Sequence, residues 1–301
     1  MRYLPLLGLA LVACDPPEPA PDASTDARVR VATFNVHRFF DTVCESQSCE
    51  PPDDYEAVLT PAGFEARAAE IADAILLLGA DVVALQEVET QACLDALVLR
   101  LADVMPYAVL GEIHTTASVD VAVFSRTPLD QVIGHRATQP LTRPDGTATT
   151  FSRELLEVHV RAANGAKVVV FAAHFRSKST DDPGRRLAEA QVSSVVVNAR
   201  AAAEPDALVV LGGDLNDTPG SPPIDALTAD GGLVRVADDL PLASQATYRY
   251  FGNGQIIDHL MLAPTPAATR VPRSSRVWKD GSGWGGSDHF ALTSDFLIAA
   301  P

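Results

Sequence analysis

Lysine is nearly absent from this chain. Only Lys167, Lys178 and Lys279 appear among 23 basic residues, against 39 acidic ones, giving a formal net charge of −16 over 301 residues. A body of that sign repels polyanions, which excludes tight, sequence-blind gripping of duplex DNA without metal ions or a local arginine patch. That argues against a processive nuclease and leaves room for an enzyme that cuts a small phosphodiester. Cysteine is scarce too, with four in all, and no cysteine cluster suited to zinc occurs. No repeat and no coiled-coil heptad is present, which excludes solenoid and fibrous architectures. Past the first dozen residues no apolar run is long enough to span a bilayer. What remains, 47% hydrophobic and 21% charged residues, fits a soluble globular body large enough for one big domain or two ordinary ones.

The beginning of the chain reads as an export signal. Met1-Arg2 supplies positive charge and Leu4 to Val12 a short apolar core. Leu11-Val12-Ala13-Cys14 resembles the lipobox of bacterial lipoproteins, which implies cleavage before Cys14 and lipid on that residue. The expected organisation is a signal peptide over 1–13, a lipidated cysteine with a flexible Pro/Ala/Asp linker over 14–28, and one domain over 29–301. The protein is then exported and anchored to a membrane, periplasmic or on the cell surface. In an oxidising compartment Cys44 and Cys49, within one polar loop, close a disulfide. A metal pair is the competing reading, and no histidine or further cysteine stands beside them. Cys93 lies on an apolar helix face and reads as a buried small hydrophobe.

From Val29 strands and helices alternate. Val29–Val36 is a short apolar run ending in an amide. Thr60-Pro61 is an N-cap with a first-turn proline, and Phe64, Ala68, Ile71, Ile75 and Leu78 recur at helical spacing before Gly79 stops the helix. A strand over Asp81–Val88 carries Glu87 near its end, and a helix covers Gln91–Ala102. Strands near Tyr107–Leu110 and Val119–Phe124 follow. Two more, Arg153–Val160 and Lys167–His174, flank the hairpin signal Asn164-Gly165. A long helix runs from Pro183 to Ala203, and strands over Ala246–Tyr250, Gln255–Leu262 and His289–Ile298 complete the chain.

The stretch with most chemistry is Val209-Val210-Leu211-Gly212-Gly213-Asp214-Leu215-Asn216-Asp217. An apolar strand meeting a Gly-Gly turn delivers Asp214 and Asn216 to a sheet rim, where an extended backbone points both the same way. Similar polar residues end other strands. Thr33-Phe34-Asn35-Val36, Leu85-Gln86-Glu87-Val88, His174-Phe175-Arg176-Ser177-Lys178, Gly213-Asp214-Leu215-Asn216, Ile257-Asp258-His259 and Ser287-Asp288-His289 together resemble the ordered motifs of the endonuclease/exonuclease/phosphatase superfamily. The resemblance covers nearly all of Val29 to Pro301. It implies an α/β (α+β) four-layer sandwich, two mixed, mostly antiparallel sheets packed face to face with helices outside.

The resemblance also implies roles. Glu87, Asn35 and Asp288 would hold Mg²⁺, with Mn²⁺ as the alternative, since hard oxygen donors suit both. Asp214 would deprotonate the attacking water and Asn216 hold that water or a phosphoryl oxygen. His174 and His289 would be protonated electrophiles, His289 oriented by Asp258 and His174 by Asp120. Arg176 and Lys178 are candidate substrate contacts, with Arg185 and Arg186 nearby in sequence. Trp284 either borders the site or packs. His37, His114, His135 and His159 read as structural or exposed.

The expected function is an exported, metal-dependent phosphodiesterase or nuclease, a monomer whose nucleic-acid substrates, if any, meet no strong basic patch. The alternatives are a sphingomyelinase- or phosphatase-like hydrolase of lipid or inositol head groups, and a silent member that only binds a ligand.

Overall fold

A computed structural model describes residues 26–50 and 55–301. Strand β1 (Ala27–Phe39) leads to α1 (Pro61–Leu78), β2 (Val82–Val88), α2 (Gln91–Leu101), β3 (Tyr107–Gly111), β4 (Asp120–Ser125) and β5 (Gln131–Gly134). A small ribbon of β6 (Leu141–Thr142) and β7 (Ala148–Thr149) precedes β8 (Leu156–Arg161), β9 (Lys167–His174), α3 (Pro183–Ala203), β10 (Leu208–Asp214) and α4 (Pro222–Thr228). The last third holds β11 (Val234–Arg235), β12 (Tyr248–Tyr250), β13 (Asn253–Gln255), β14 (Asp258–Leu262), β15 (Ala268–Arg270), β16 (Arg276–Trp278) and β17 (Ala291–Ile298).

The strands form two large mixed sheets. One has the order β15-β17-β1-β2-β4-β3 with β16 also on β17; the other runs β11-β14-β10-β9-β8-β5. Only β1–β2 and β9–β10 pair in parallel within these sheets. Alternation along each strand builds three apolar layers. Val31, Ala84, Val123, Val170, Val210 and Leu260 fill the space between the sheets. Phe34, Leu85 and Phe124 face the other way, onto Ile71, Ile75 and Leu97 of α1 and α2. Phe171, Val209 and Leu211 meet Ala190 and Val197 of α3 and Ile224 of α4. The result is the expected four-layer sandwich.

Local signals hold where the chain bounds its own elements. Thr60 Oγ1 accepts the Gly63 N–H at 3.1 Å, Pro61 opens α1, and Gly79 closes it at φ 60°. Asn164-Gly165 joins β8 to β9 in an antiparallel pair. The expected strand over Gln255–Leu262 divides instead. Ile257 and Asp258 N–H groups donate to Thr247 Oγ1, so β13 ends and β14 begins across a side-chain contact.

The Gly212-Gly213 pair is a second departure, because both residues lie inside β10 rather than in a turn. A Cβ on Gly213 would stand 2.0 Å from the Ala173 carbonyl oxygen, and one on Gly212 would stand 2.9 Å from Leu260 Cδ2. Close approach to β9 and β14 demands the glycines. Cys44 and Cys49 are bonded to each other, and Cys93 is buried. The expected signal peptide and Cys14 lie outside the described residues, as does most of the linker; β1 already begins at Ala27. Among the described residues no helix is long and apolar enough to cross a membrane.

Candidate active site

Strand parity assembles the site at one open end of the sandwich. Residues whose side chains fill the inner layer are followed, two positions on, by polar ones: Val31 and Thr33 by Asn35, Val170 and Ala172 by His174, Val210 and Gly212 by Asp214. On the antiparallel neighbour, Asp258 precedes Leu260 and Leu262. Register then sets Asp214 directly across from His174 on one side and from Asp258 on the other. Glu87 breaks the rule. Alternation would turn it outward with Val83 and Leu85, but it adopts φ 69° where the β2–β4 register slips between Gln86 and Val88. That irregularity re-aims its carboxylate into the cleft.

The cleft, about 440 Å³, is lined by Glu87, His174, Asp214, Asn216, Asp288 and His289 among others. Asp214 Oδ2 lies 3.6 Å from His174 Nε2 and 3.9 Å from His289 Nε2. Asn35 Nδ2 donates to Glu87 Oε1 and to Asp214 Oδ2, each at 3.1 Å. Asp258 receives His289 Nδ1 at 2.9 Å. Ser287 Oγ donates to the Asn35 carbonyl and accepts the His289 N–H, so the loop bearing His289 is fastened to β1.

Charge is sorted unevenly across these groups. Burial would lower the pKa of His289, but the charge and hydrogen bond of Asp258, with Asp214 and Asp288, outweigh it and raise it to about 10. Burial and the charge of Arg153 instead push His174 well below its ordinary 6.5. Burial and the charge of Asp258 raise Asp214 to about 7. Burial opposes ionisation of Glu87 as well, yet both imidazoles, Asn35 and the Arg38 N–H hold it at about 2. The site therefore pairs a carboxylate poised to take a proton with an imidazolium able to give one.

The donor set fits a divalent cation. Glu87, His174 and Asp214 offer ligand atoms all within 4.8 Å of one another. His174 turns Nε2 to Asp214 Oδ2 at 3.6 Å and Glu87 Oε1 at 3.9 Å, and Asp288 Oδ1 at the same cleft is buried without a hydrogen-bond partner. Two carboxylates with one imidazole suit a hard or borderline ion.

Several expected roles change. Asn35 turns its nitrogen to the carboxylates because its Oδ1 accepts the His37 N–H at 2.9 Å; it braces Glu87 and Asp214 and offers no oxygen between them. Burial and the charge of Arg153 disfavour the charged form of His174, which weighs against the cationic electrophile expected of it. Asp120 does not orient it: alternation along β4 puts Asp120 on the side of Ala122 and Phe124, and its Oδ2 accepts from Ser118 Oγ and the Ile113 N–H. Asn216 is in the cleft, but not by strand extension. It sits at φ 53° with its N–H on Asp214 Oδ1 and its amide on the Phe175 carbonyl.

Arg176 turns away to the Thr180 carbonyl, whereas Lys178 lines the cleft and pairs with Asp217 at 2.9 Å. Arg186 is buried against Asp181 and Asp217, and Arg185 donates to the Thr150 carbonyl. Trp284 packs beside Trp278. Asp288 lines the cleft, 44% exposed in its side chain and 3.7 Å from His37 Nδ1, outside the Glu87–His174–Asp214 group. Sequence reasoning missed His37, Arg38, Tyr248 and Tyr250, which all line the cleft. His37 and Arg38 reach it through left-handed backbone at φ 56° and 47°, which no periodicity announces.

Paired sheets with carboxylates and histidines gathered at one open end fit a hydrolase of phosphoesters. The chain belongs to the Endonuclease/Exonuclease/phosphatase family, whose model matches residues 32–289. Enzymes of this family are divalent-metal dependent and hydrolyse phosphodiester bonds. No curated protein matches the sequence. Solved structures do resemble it. The catalytic domain of human Nocturnin with bound sulfate aligns at TM-score 0.63 and 18% identity over 93% of this chain and 97% of that one. An endonuclease/exonuclease/phosphatase from Bacteroides vulgatus aligns at 0.63 and 17% over 90% and 99%. D. rerio TDP2 complexed with a single strand DNA product aligns at 0.60 and 17% over 90% and 99%. At these identities the likeness speaks for the fold.

Proposed function

We propose that the protein is a Mg²⁺- or Mn²⁺-dependent phosphodiesterase of nuclease type. The observation that carries this reading is Asp214, its pKa raised to about 7, set between the Glu87–His174 pair and the His289 imidazolium. Glu87 and His174 would hold the ion, with Asp288 at the rim, leaving the Asp214 carboxylate to take a proton. When bound, it supplies positive charge to the phosphoryl oxygens and lowers the pKa of water.

The protein's own groups do the rest. Asp214 accepts the proton of the attacking water through a carboxylate that Asn35 and the Asn216 N–H hold in place. Bond formation to phosphorus concentrates negative charge beside His289, which stays protonated because Asp258 faces its Nδ1. His289 Nε2 then gives its proton to the departing alkoxide, the stronger base. His174, whose charged form burial disfavours, offers its Nε2 to the ion. Lys178 and Arg38 add positive charge at the cleft wall.

Screening the purified domain against plasmid DNA, RNA, bis(nitrophenyl) phosphate and sphingomyelin, with Mn²⁺ and with excess chelator, tests the reading. Hydrolysis of a diester that stops on chelation is expected, and full turnover in chelator would exclude it. We also read Cys14 as lipidated and the mature protein as exported, on the sequence of its first residues. Mass spectrometry of the membrane fraction should find a diacylglyceryl cysteine at the new N-terminus, and an unmodified terminus would refute this.

A further inference from the structure

Two aromatic rings continue the cleft wall from His289 outward. Tyr248 and Tyr250, two apart on β12, share a strand face and both line the cleft. The Tyr248 ring centroid lies 4.7 Å from that of His289. Arg249 between them turns to the other face, its guanidinium 5.8 Å from the Phe290 ring centroid.

The strands β12 and β13 are joined by Phe251-Gly252, both in left-handed backbone at φ 46° and 80°. Such a two-residue turn prefers Asn-Gly, and a bulky side chain there is strained. Phe251 is also 87% exposed. Its ring meets Tyr250 edge-on, with centroids 4.5 Å apart. Backbone strain and an unburied apolar ring thus coincide at one residue, and neither favours folding.

We infer that the β12–β13 hairpin is a stacking platform for an unpaired nucleobase beside the scissile phosphate, so that the substrate is a nucleotide or short single strand. This rests on the phosphodiesterase reading above. Tyr248 beside His289, Tyr250 beyond it and Phe251 edge-on to Tyr250 place three aromatic rings in succession, each with a π-face on which a base can stack. A lipid head group has no such face. Arg38 and Lys178 in the same cleft meet the flanking phosphates. Stacking supplies affinity without a basic surface, which suits a chain of net charge −16 and disfavours a duplex, whose bases are already stacked.

The test compares kcat/KM, with Mn²⁺, for oligothymidylate and for an oligomer of the same phosphates whose nucleosides are replaced by base-free tetrahydrofuran. The wild type should prefer the base-bearing strand by about 10- to 100-fold, the range that base–aromatic stacking gives. In Tyr250→Ala/Phe251→Ala the ratio should fall toward 1, and Tyr250→Phe should keep it. A wild-type ratio near 1, or an undiminished ratio in the double variant, overturns the platform while leaving the diesterase intact. Hydrolysis of bis(nitrophenyl) phosphate with neither oligomer cut overturns it as well; hydrolysis of none of the three sinks the underlying reading instead. Sedimentation with phosphatidylcholine–phosphatidylglycerol vesicles, lost in the double variant while the ratio stays unchanged, would assign the rings to a membrane.

Discussion

Asp258 accepts a hydrogen bond from His289 Nδ1 through either carboxylate oxygen, at 2.9 and 3.1 Å, with both side chains buried. The contact fixes the imidazole so that Nε2 faces Asp214, 3.9 Å away, and keeps the ring charged. It sets His289 apart from His174, whose Nδ1 has no hydrogen-bond partner.

Asp258→Asn should therefore fold normally while slowing the chemical step. His289→Ala should lose on the order of 10²- to 10⁴-fold in turnover, the range of general acid–base catalysis. The double variant should be little worse than either single one, because groups acting as a unit do not contribute separately. Rates and melting transitions of all three proteins check this. A correctly folded His289→Ala protein with wild-type turnover would end the mechanism.

Asn35 holds Glu87 and Asp214 together without offering them an oxygen. Asn35→Ala is expected to weaken Mn²⁺ binding by about 10- to 100-fold, as losing a partner that orients a ligand does. Glu87→Gln should weaken it further. Calorimetric titration reads both, and wild-type affinity in Asn35→Ala would show that the brace is idle.

Gly213 has no room for a methyl group, with the Ala173 carbonyl oxygen 2.0 Å from its ideal Cβ position. Gly213→Ala must part β9 from β10 just below His174 and Asp214. A loss of roughly 3 kcal/mol is expected, lowering the melting temperature by roughly 6–12 °C. An unchanged melting curve would mean the strands are not so close.

Away from the cleft, Glu157 is buried beneath α3 between His135 Nε2 at 2.7 Å, His159 Nε2 at 2.6 Å and Arg200 Nε at 2.6 Å. Burial opposes its ionisation, but hydrogen bonds from His135 and His159 and the charge of Arg200 hold its pKa at about 2, below the ordinary 4.5. A depressed carboxylate favours the folded state above its unfolded pKa, and that contribution, about 3 kcal/mol, disappears as the pH falls from about 4.5 through 2. Urea unfolding at pH 6 and pH 3 should show a steeper acid loss in the wild type than in Glu157→Gln. Parallel losses would remove Glu157 from the acid response.

Much was legible in the chain because it is written in local patterns. Apolar runs ending in polar residues marked β1, β9 and β10, and helical spacing with Thr60, Pro61 and Gly79 bounded α1, since propensity and capping act over a few residues. The order of Asn35, Glu87, His174, Asp214, Asp258 and His289 pointed to one site and one family. What those side chains do there was decided only by tertiary contacts. Neighbours far along the chain bias the charge of a buried group: Asp258 favours the charged form of His289, while burial and Arg153 disfavour that of His174. The positive φ values that carry His37, Arg38, Glu87 and Asn216 into the cleft come from bulges and turns fitted between strands, and no periodicity announces them. Gly213 reads as a turn from sequence and proves to be a contact between two strands 40 residues apart, from Ala173 to Gly213. The ordered motifs pointed to the sandwich through the family they resemble; packing and electrostatics, which act through space, determined the chemistry at its open end.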